Sequence, residues 1–247
     1  QNNNSSREDL FNYAAGGVAG WGTYRATKAY AARPYGRYFL DSVKKIPEAD
    51  HKAMWDAAQD VFAKTDLAKK GVTLKYLDAS NAEAFADDVL SRMHISTKPR
   101  KKIWYYLFGE TKAEKLKRNL KQMGEGGNAC YIPGVKTVAV NAEKMGFSGF
   151  HEMGHALNHT GKGIGNALHK TRHLAALAAP AILAYCLLTN KKENARFADE
   201  KAHNFVKDNC VALTAATQVP ILLEEGLASI NAAKICKKFL NPTQTKA

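Results

Sequence analysis

Apolar and charged positions recur with a helical period over residues 47–70 and 80–93. Ala, Val, Phe and Leu gather on one side and charges on the other. Both segments read as amphipathic helices. Between them GVTLKYLD, Gly71 to Asp78, sets Val72, Leu74 and Tyr76 against polar neighbours, the period-two mark of a strand. A basic stretch from Lys98 to Met123 is mostly helical in spacing. NACYIPGVKTVAVN, Asn128 to Asn141, then places two short apolar runs around Pro133 and Gly134, a pair suited to the centre of a type II turn. This reads as a β-hairpin leading directly into FHEMGHALNHTGKG, Phe150 to Gly163.

Two apolar limbs follow, 173–190 and 209–223, each without a charged residue. Their apolar runs cover about fifteen residues, where a membrane span usually needs about twenty. The core hairpin of a soluble protein has the same pattern. Before all of this, Leu10 to Tyr24 is uncharged and rich in small residues. It passes into a stretch where Arg25, Lys28, Arg33 and Arg37 alternate with Tyr24, Tyr30, Tyr35 and Tyr38. The expected organisation is a helical, membrane-associated region at 1–70, a core with strand, hairpin and histidine helix at 71–165, and an apolar helical hairpin plus a further helix at 166–247.

Charge narrows the partners. The 247 residues carry a formal net charge of +13, which favours phospholipid headgroups, nucleic acid or acidic polypeptides. Interleaved Tyr and Arg suit base stacking or a membrane interface, and equally an amphipathic helix with a solvated basic face. No RNA- or DNA-binding motif accompanies the basic stretches, so a membrane is the expected partner and nucleic acid is not. The four cysteines, Cys130, Cys186, Cys210 and Cys236, lack CxxC spacing and read as buried free thiols of a reduced compartment.

The histidine segment carries the chemistry. Residues four apart stack on one helix face, so His151 and His155 can meet one ion. Glu152 lies beside that face as a general base, which is the mechanical content of HExxH with a zinc ion. Ser148 suits the N-cap, Gly154 and Ala156 permit close packing, and Gly161 and Gly163 stop the helix. His159 is excluded as third ligand, because it lies about 12 Å along a continuous helix from His151. A glutamate in VPILLEEGLASINAAKI is the expected third ligand. A carboxylate on an apolar helix is costly unless it is paired or binds a metal. Glu225 is preferred to Glu224, since small residues at Gly226, Ala228 and Ser229 let its helix approach, while Glu224 faces another way, toward solvent.

HEMGH followed at a distance by EGLAS resembles the gluzincins, zincin metallopeptidases whose third zinc ligand is a glutamate on a later helix. Within them it is similar to the membrane-embedded branch, such as the CAAX prenyl proteases and the bacterial membrane-bound neutral zinc metallopeptidases. The likeness covers Asn128 to about Lys237. It implies that Asn128, Ala129, Cys130 and Tyr131 form an edge strand that pairs with a polypeptide substrate, as β-augmentation would allow. It also implies a hydrogen-bond partner for a ligand histidine at Ser229, where the family often has Asp; serine brings no charge. Thermolysin-like enzymes place a His or Tyr beyond the third ligand for the oxyanion. Nothing after Glu225 here is His, Tyr or Arg, which leaves His203, Tyr185 or a group outside this chain.

The expectation is thus a mainly helical α+β, zincin-like zinc endopeptidase at the cytoplasmic membrane, its site facing the cytoplasm. Zn²⁺ would be held by His151, His155 and Glu225. Two membrane crossings between HExxH and Glu225 would return the glutamate to the side that holds His151. A zinc-binding membrane scaffold without turnover shares the metal site. A basic nucleic-acid binder would carry HExxH by coincidence and hold no zinc.

Overall fold

The amphipathic segments fold into helices around one small sheet in a computed structural model, which describes residues 48–95, 111–126, 129–145 and 148–240. The tyrosine–arginine stretch, the uncharged N-terminal run and Asn128 lie outside the described residues. In chain order the elements begin with α1 (Glu48–Lys64), a 3₁₀ turn (Ala68–Lys70), β1 (Thr73–Tyr76), α2 (Ala82–Arg92) and α3 (Lys112–Gly126). β2 (Ala129–Ile132), β3 (Thr137–Val140), a short α4 (Ala142–Met145) and α5 (Ser148–Thr160) follow. The chain continues with α6 (Ile164–Leu188), α7 (Ala198–Asp208), α8 (Cys210–Ala216) and α9 (Val219–Phe239). The architecture is mainly helical α+β.

The hairpin strand β3 is central. It pairs antiparallel with β2 and parallel with β1, giving the order β1-β3-β2. All four of its residues are buried, which explains why TVAV lacks alternation: both faces of the strand are covered. Val138 and Val140 join Val61, Leu67, Met153, Ala156 and Ile235 in the main core. Ala139 meets Leu77 and Ala82 on the opposite face. Each fully buried Val, Leu or Met contributes roughly 1.5–3 kcal/mol. Asn141, also fully buried, ties three elements: its amide donates to the Gly124 carbonyl at 2.7 Å, and its Oδ1 accepts from the Glu143 N–H at 2.9 Å.

The connection between β2 and β3 corrects the turn expected at Pro133-Gly134. It is a 3₁₀ turn over Pro133–Val135, and the left-handed residue is Lys136 at φ 48°, not Gly134. Gly134 serves packing instead, since a Cβ there would stand 2.6 Å from the Met93 methyl.

Of the described residues, 48–169 and 224–240 belong to one compact unit and 170–223 to another. The second exposes Leu174, Leu177, Leu187, Phe205, Val211 and Leu222. Within it the Tyr185 hydroxyl pairs with His203, and Lys207 donates to the carbonyls of Cys186 and Thr189. The helical run Cys210–Phe239, which joins α8 to α9, is by length and composition long and apolar enough to cross a membrane, and its apolar stretch is only 6% buried. Helix α6 passes the same test only as a bent pair. All four cysteines are free.

Candidate metal centre

Helix α5 distributes its side chains by the 3.6-residue period. Phe150, Met153 and Ala156 enter the core with β3, which sets His151 and His155 on another face. Helix α9 brings its own stripe alongside. Glu224, Ala228 and Ile235 are buried, with Glu225 and Ser229 one position on. The helices approach so closely at one point that a Cβ on Gly154 would stand 2.1 Å from the Ala228 carbonyl oxygen. Of the three small residues expected to admit the helix, Ala228 makes this contact. A Cβ on Gly226 would meet nothing within 4 Å, and Ser229 reaches a histidine instead.

The crossing brings His151, His155 and Glu225 together. Nε2 of His151 lies 3.0 Å from Nε2 of His155 and 3.2 Å from Glu225 Oε2, and His155 Nε2 is 3.3 Å from that oxygen. This half-buried triangle of two imidazole nitrogens and one carboxylate oxygen could hold a metal ion. Two of its three members stay partly exposed, His151 at 31% and Glu225 at 41%. The remaining ring nitrogens are engaged behind it. Nδ1 of His155 donates to Glu224 Oε1 at 2.8 Å, and Nδ1 of His151 lies 3.2 Å from the Ser229 hydroxyl. In the neutral ring with Nδ1 donating to Glu224, the His155 Nε2 lone pair points into the triangle.

Glu224 corrects the expectation that it turns to solvent. It does face away from Glu225, but inward, and is 0% exposed. A carboxylate buried without partners would cost several kcal/mol. Here it accepts from His155, from His169 Nδ1 at 3.1 Å and from the Asn158 amide at 3.2 Å. By spacing, His155, His169 and Glu224 form a second group that could hold a metal. The chemistry separates the two groups. The Asn158 amide nitrogen, oriented by Asn231 donating to its Oδ1 at 2.8 Å, points at the same carboxylate oxygen. An N–H is a donor and not a ligand, so this oxygen is a hydrogen-bond hub that supports the first group.

Glu152 lies beside the triangle, where Oε2 accepts the Tyr131 backbone N–H at 2.6 Å. Burial raises its pKa above the ordinary carboxylate value, and Glu225 adds to the rise; His155, the Tyr131 N–H and His151 oppose it. For His155, burial works against the cation. The hydrogen bond to Glu224 and the charges of Glu152, Glu224 and Glu225 outweigh it, so its pKa is raised. Both shifts give one sign of linkage. A native state that holds protons more tightly than the unfolded chain loses stability as pH rises through that window. The window opens near pH 4.3 for Glu152 and near 6.5 for His155. Thermal unfolding of the chelator-treated protein should therefore show these contributions falling away as pH rises through that window, with a shallower fall in Glu152→Gln. Added metal should oppose the fall, since it competes with protons for His155.

The other residues singled out in the sequence are placed as follows. Ala129, Cys130 and Tyr131 form the edge strand β2. Burial pushes the Cys130 thiol up to about 12, and its side chain packs against two core clusters. His159 is no metal ligand of the triangle. Its Nδ1 lies 2.7 Å from the Tyr131 hydroxyl, and its ring stands 4.7 Å from that of His169. Tyr185 and His203 pair with each other in the other unit. Glu224 stands in the sequence only as the alternative third ligand, and its buried contacts with His155, His169 and Asn158 are not foreseen there. One signal was available: Glu224 precedes Ala228 by four residues, which puts it on the contact stripe of α9.

No protein-family model, curated protein or solved structure matches this chain.

Proposed function

We propose that the chain is a zinc-dependent endopeptidase acting at a membrane surface. The observation that carries the reading is the triangle of His151, His155 and Glu225, with sides of 3.0, 3.2 and 3.3 Å. Ligand atoms held about 2.0–2.2 Å from a tetrahedral zinc stand roughly 3.3–3.5 Å apart, close to the distances found. Three protein ligands, two of them partly exposed, suit a catalytic site better than a closed structural one. Zinc, when bound, supplies Lewis acidity toward a carbonyl oxygen and a lowered pKa for water.

The chain's own residues supply the rest. Glu152 takes a proton from the attacking water and passes it to the leaving amine. Its burial favours this exchange by raising its proton affinity above that of an ordinary carboxylate. The Tyr131 N–H aims the carboxylate. That contact also tells which backbone groups of β2 turn away from β3. Tyr131 gives its N–H to Glu152, not to β3. Val140, opposite Ala129, gives its carbonyl to Leu77 beyond β1. Ala129 and Tyr131 therefore turn away from β3, toward the side where an extended polypeptide would add as a strand. Cys130 contributes packing.

The membrane part of the reading rests on the run Cys210–Phe239, whose uncharged stretch ends one residue before Glu224. The +13 charge suits the anionic cytoplasmic leaflet, where we place the site.

Glu152→Gln is expected to retain zinc and to slow hydrolysis of a quenched fluorescent peptide mixture by ~10²–10⁴-fold. Hydrolysis that survives the substitution would remove Glu152 as the base. Zinc bound by a wild-type protein that cleaves nothing would point to a scaffold sharing the same metal site.

A further inference from the structure

Fourteen residues beyond His155, and outside the HExxH pattern, His169 sits near the start of α6 with 4% of its surface exposed. Among the described residues its side chain makes one hydrogen bond, from Nδ1 to Glu224 Oε1 at 3.1 Å; its Nε2 is buried and has no hydrogen-bond partner there. Of the two ring nitrogens only Nδ1 is engaged, so the polar role of this buried imidazole lies in that contact. The contact here is a carboxylate that is itself 0% exposed and bound to Nδ1 of His155 at 2.8 Å.

We propose that His169 is a positioning residue of the metal centre, holding the Glu224 carboxylate against His155 so that the ring of His155 presents Nε2 to the ion. The inference rests on the zinc reading given above. The physical need is clear from the asymmetry of the two histidines. His151 is backed by the neutral hydroxyl of Ser229 at 3.2 Å, while His155 is backed by a carboxylate. A carboxylate partner increases the basicity of a ligand imidazole and fixes its tautomer. It does so only if it stays in place without solvent. Glu224 is kept there by donors on two sides, Asn158 from α5 and His169 from α6. The His159 ring, 4.7 Å from that of His169, and the Tyr131 ring at 6.1 Å flank the imidazole. Tyr131 thereby touches both the base Glu152, through its N–H, and the support of His155, through its ring.

The test uses the full chain, with Zn²⁺ affinity read by competition with a chromophoric chelator and the Co²⁺ ligand-field spectrum as a second readout. His169→Phe keeps a ring and removes the donor. His169→Asn keeps a donor near the place of Nδ1. The expected result is about 10–100-fold weaker zinc binding in His169→Phe, with an altered Co²⁺ spectrum. His169→Asn should recover most of both. A merely structural role would lower the melting temperature of the two metal-free variants without separating their affinities. Wild-type affinity in His169→Phe, or equal losses in the two variants, would overturn the proposal. Should His169→Phe fail to fold, Glu224→Gln replaces it, and unchanged zinc affinity there has the same consequence. A wild-type chain that takes up neither ion defeats the zinc reading itself, before any variant is compared.

Discussion

Glu225→Ala should leave the protein folded and strip it of its metal. The Glu225 side chain is 41% exposed, so truncation opens no internal cavity. It removes one of the three atoms that could hold the ion, and with it the negative charge that lies 3.2 and 3.3 Å from the two imidazole nitrogens. Partners that only orient a ligand are worth about 10–100-fold in affinity, and a ligand itself should exceed that. Elemental analysis of the purified protein should give one zinc per wild-type chain and a fraction of that in the variant. Chelator competition should show affinity lower by more than about 100-fold, or roughly 2.7 kcal/mol. Far-ultraviolet circular dichroism should be unchanged. Zinc retained at full stoichiometry would show that the third ligand is another group. The contrast with Glu224 sharpens the test, because that carboxylate is fully buried and its loss should cost stability as well as metal.

Gly154→Ala carries the second large effect, this time on the fold. The added methyl would sit 2.1 Å from the Ala228 carbonyl oxygen, 2.8 Å from its carbonyl carbon and 3.0 Å from its Cα. These are helix backbone atoms, which cannot swing aside as the tip of a side chain can. Overpacking a core usually costs about 1–3 kcal/mol, and the backbone contact argues for the upper part of that range. Better helix propensity of alanine returns about 1 kcal/mol. A net loss of roughly 2 kcal/mol should lower the melting temperature by about 4–8 °C for a domain of this size. Zinc affinity should fall with it, since pushing α9 away from α5 withdraws Glu225 from His151 and His155. Gly226→Ala is the control. It lies in helix α9 with nothing within 4 Å of the new methyl, so it should be neutral or stabilising by up to about 1 kcal/mol. Two glycines in helices, given the same substitution, should thus move in opposite directions.

That pair also shows where reading a sequence stops. Both glycines look alike as permissive positions beside a zinc motif, and only the crossing of α5 and α9 distinguishes them. The same holds for the adjacent glutamates. Their order along the helix says that they point about 100° apart, but not which direction holds the histidines and which the core. The apolar limbs are a further case. Their lack of charge is plain in the sequence, yet the helix that carries Glu225 is exposed over one stretch and buried at Ala228 and Ile235.

What the chain determines by itself is periodic and local. Spacing of three and four residues placed the helices around Val61, Val89 and Met153. Alternation found β1, and the separation of His151 from His155 by one helical turn set two imidazoles on one face. The third strand partner, the parallel pairing of β1 with β3, the inward turn of Glu224 and its contact with His169 all join residues 55 to 69 positions apart. Such contacts leave no period in the sequence. They exist because the core of β3, α5 and α9 closes at Gly154 and Ala228, and a buried carboxylate must then find its donors within that space.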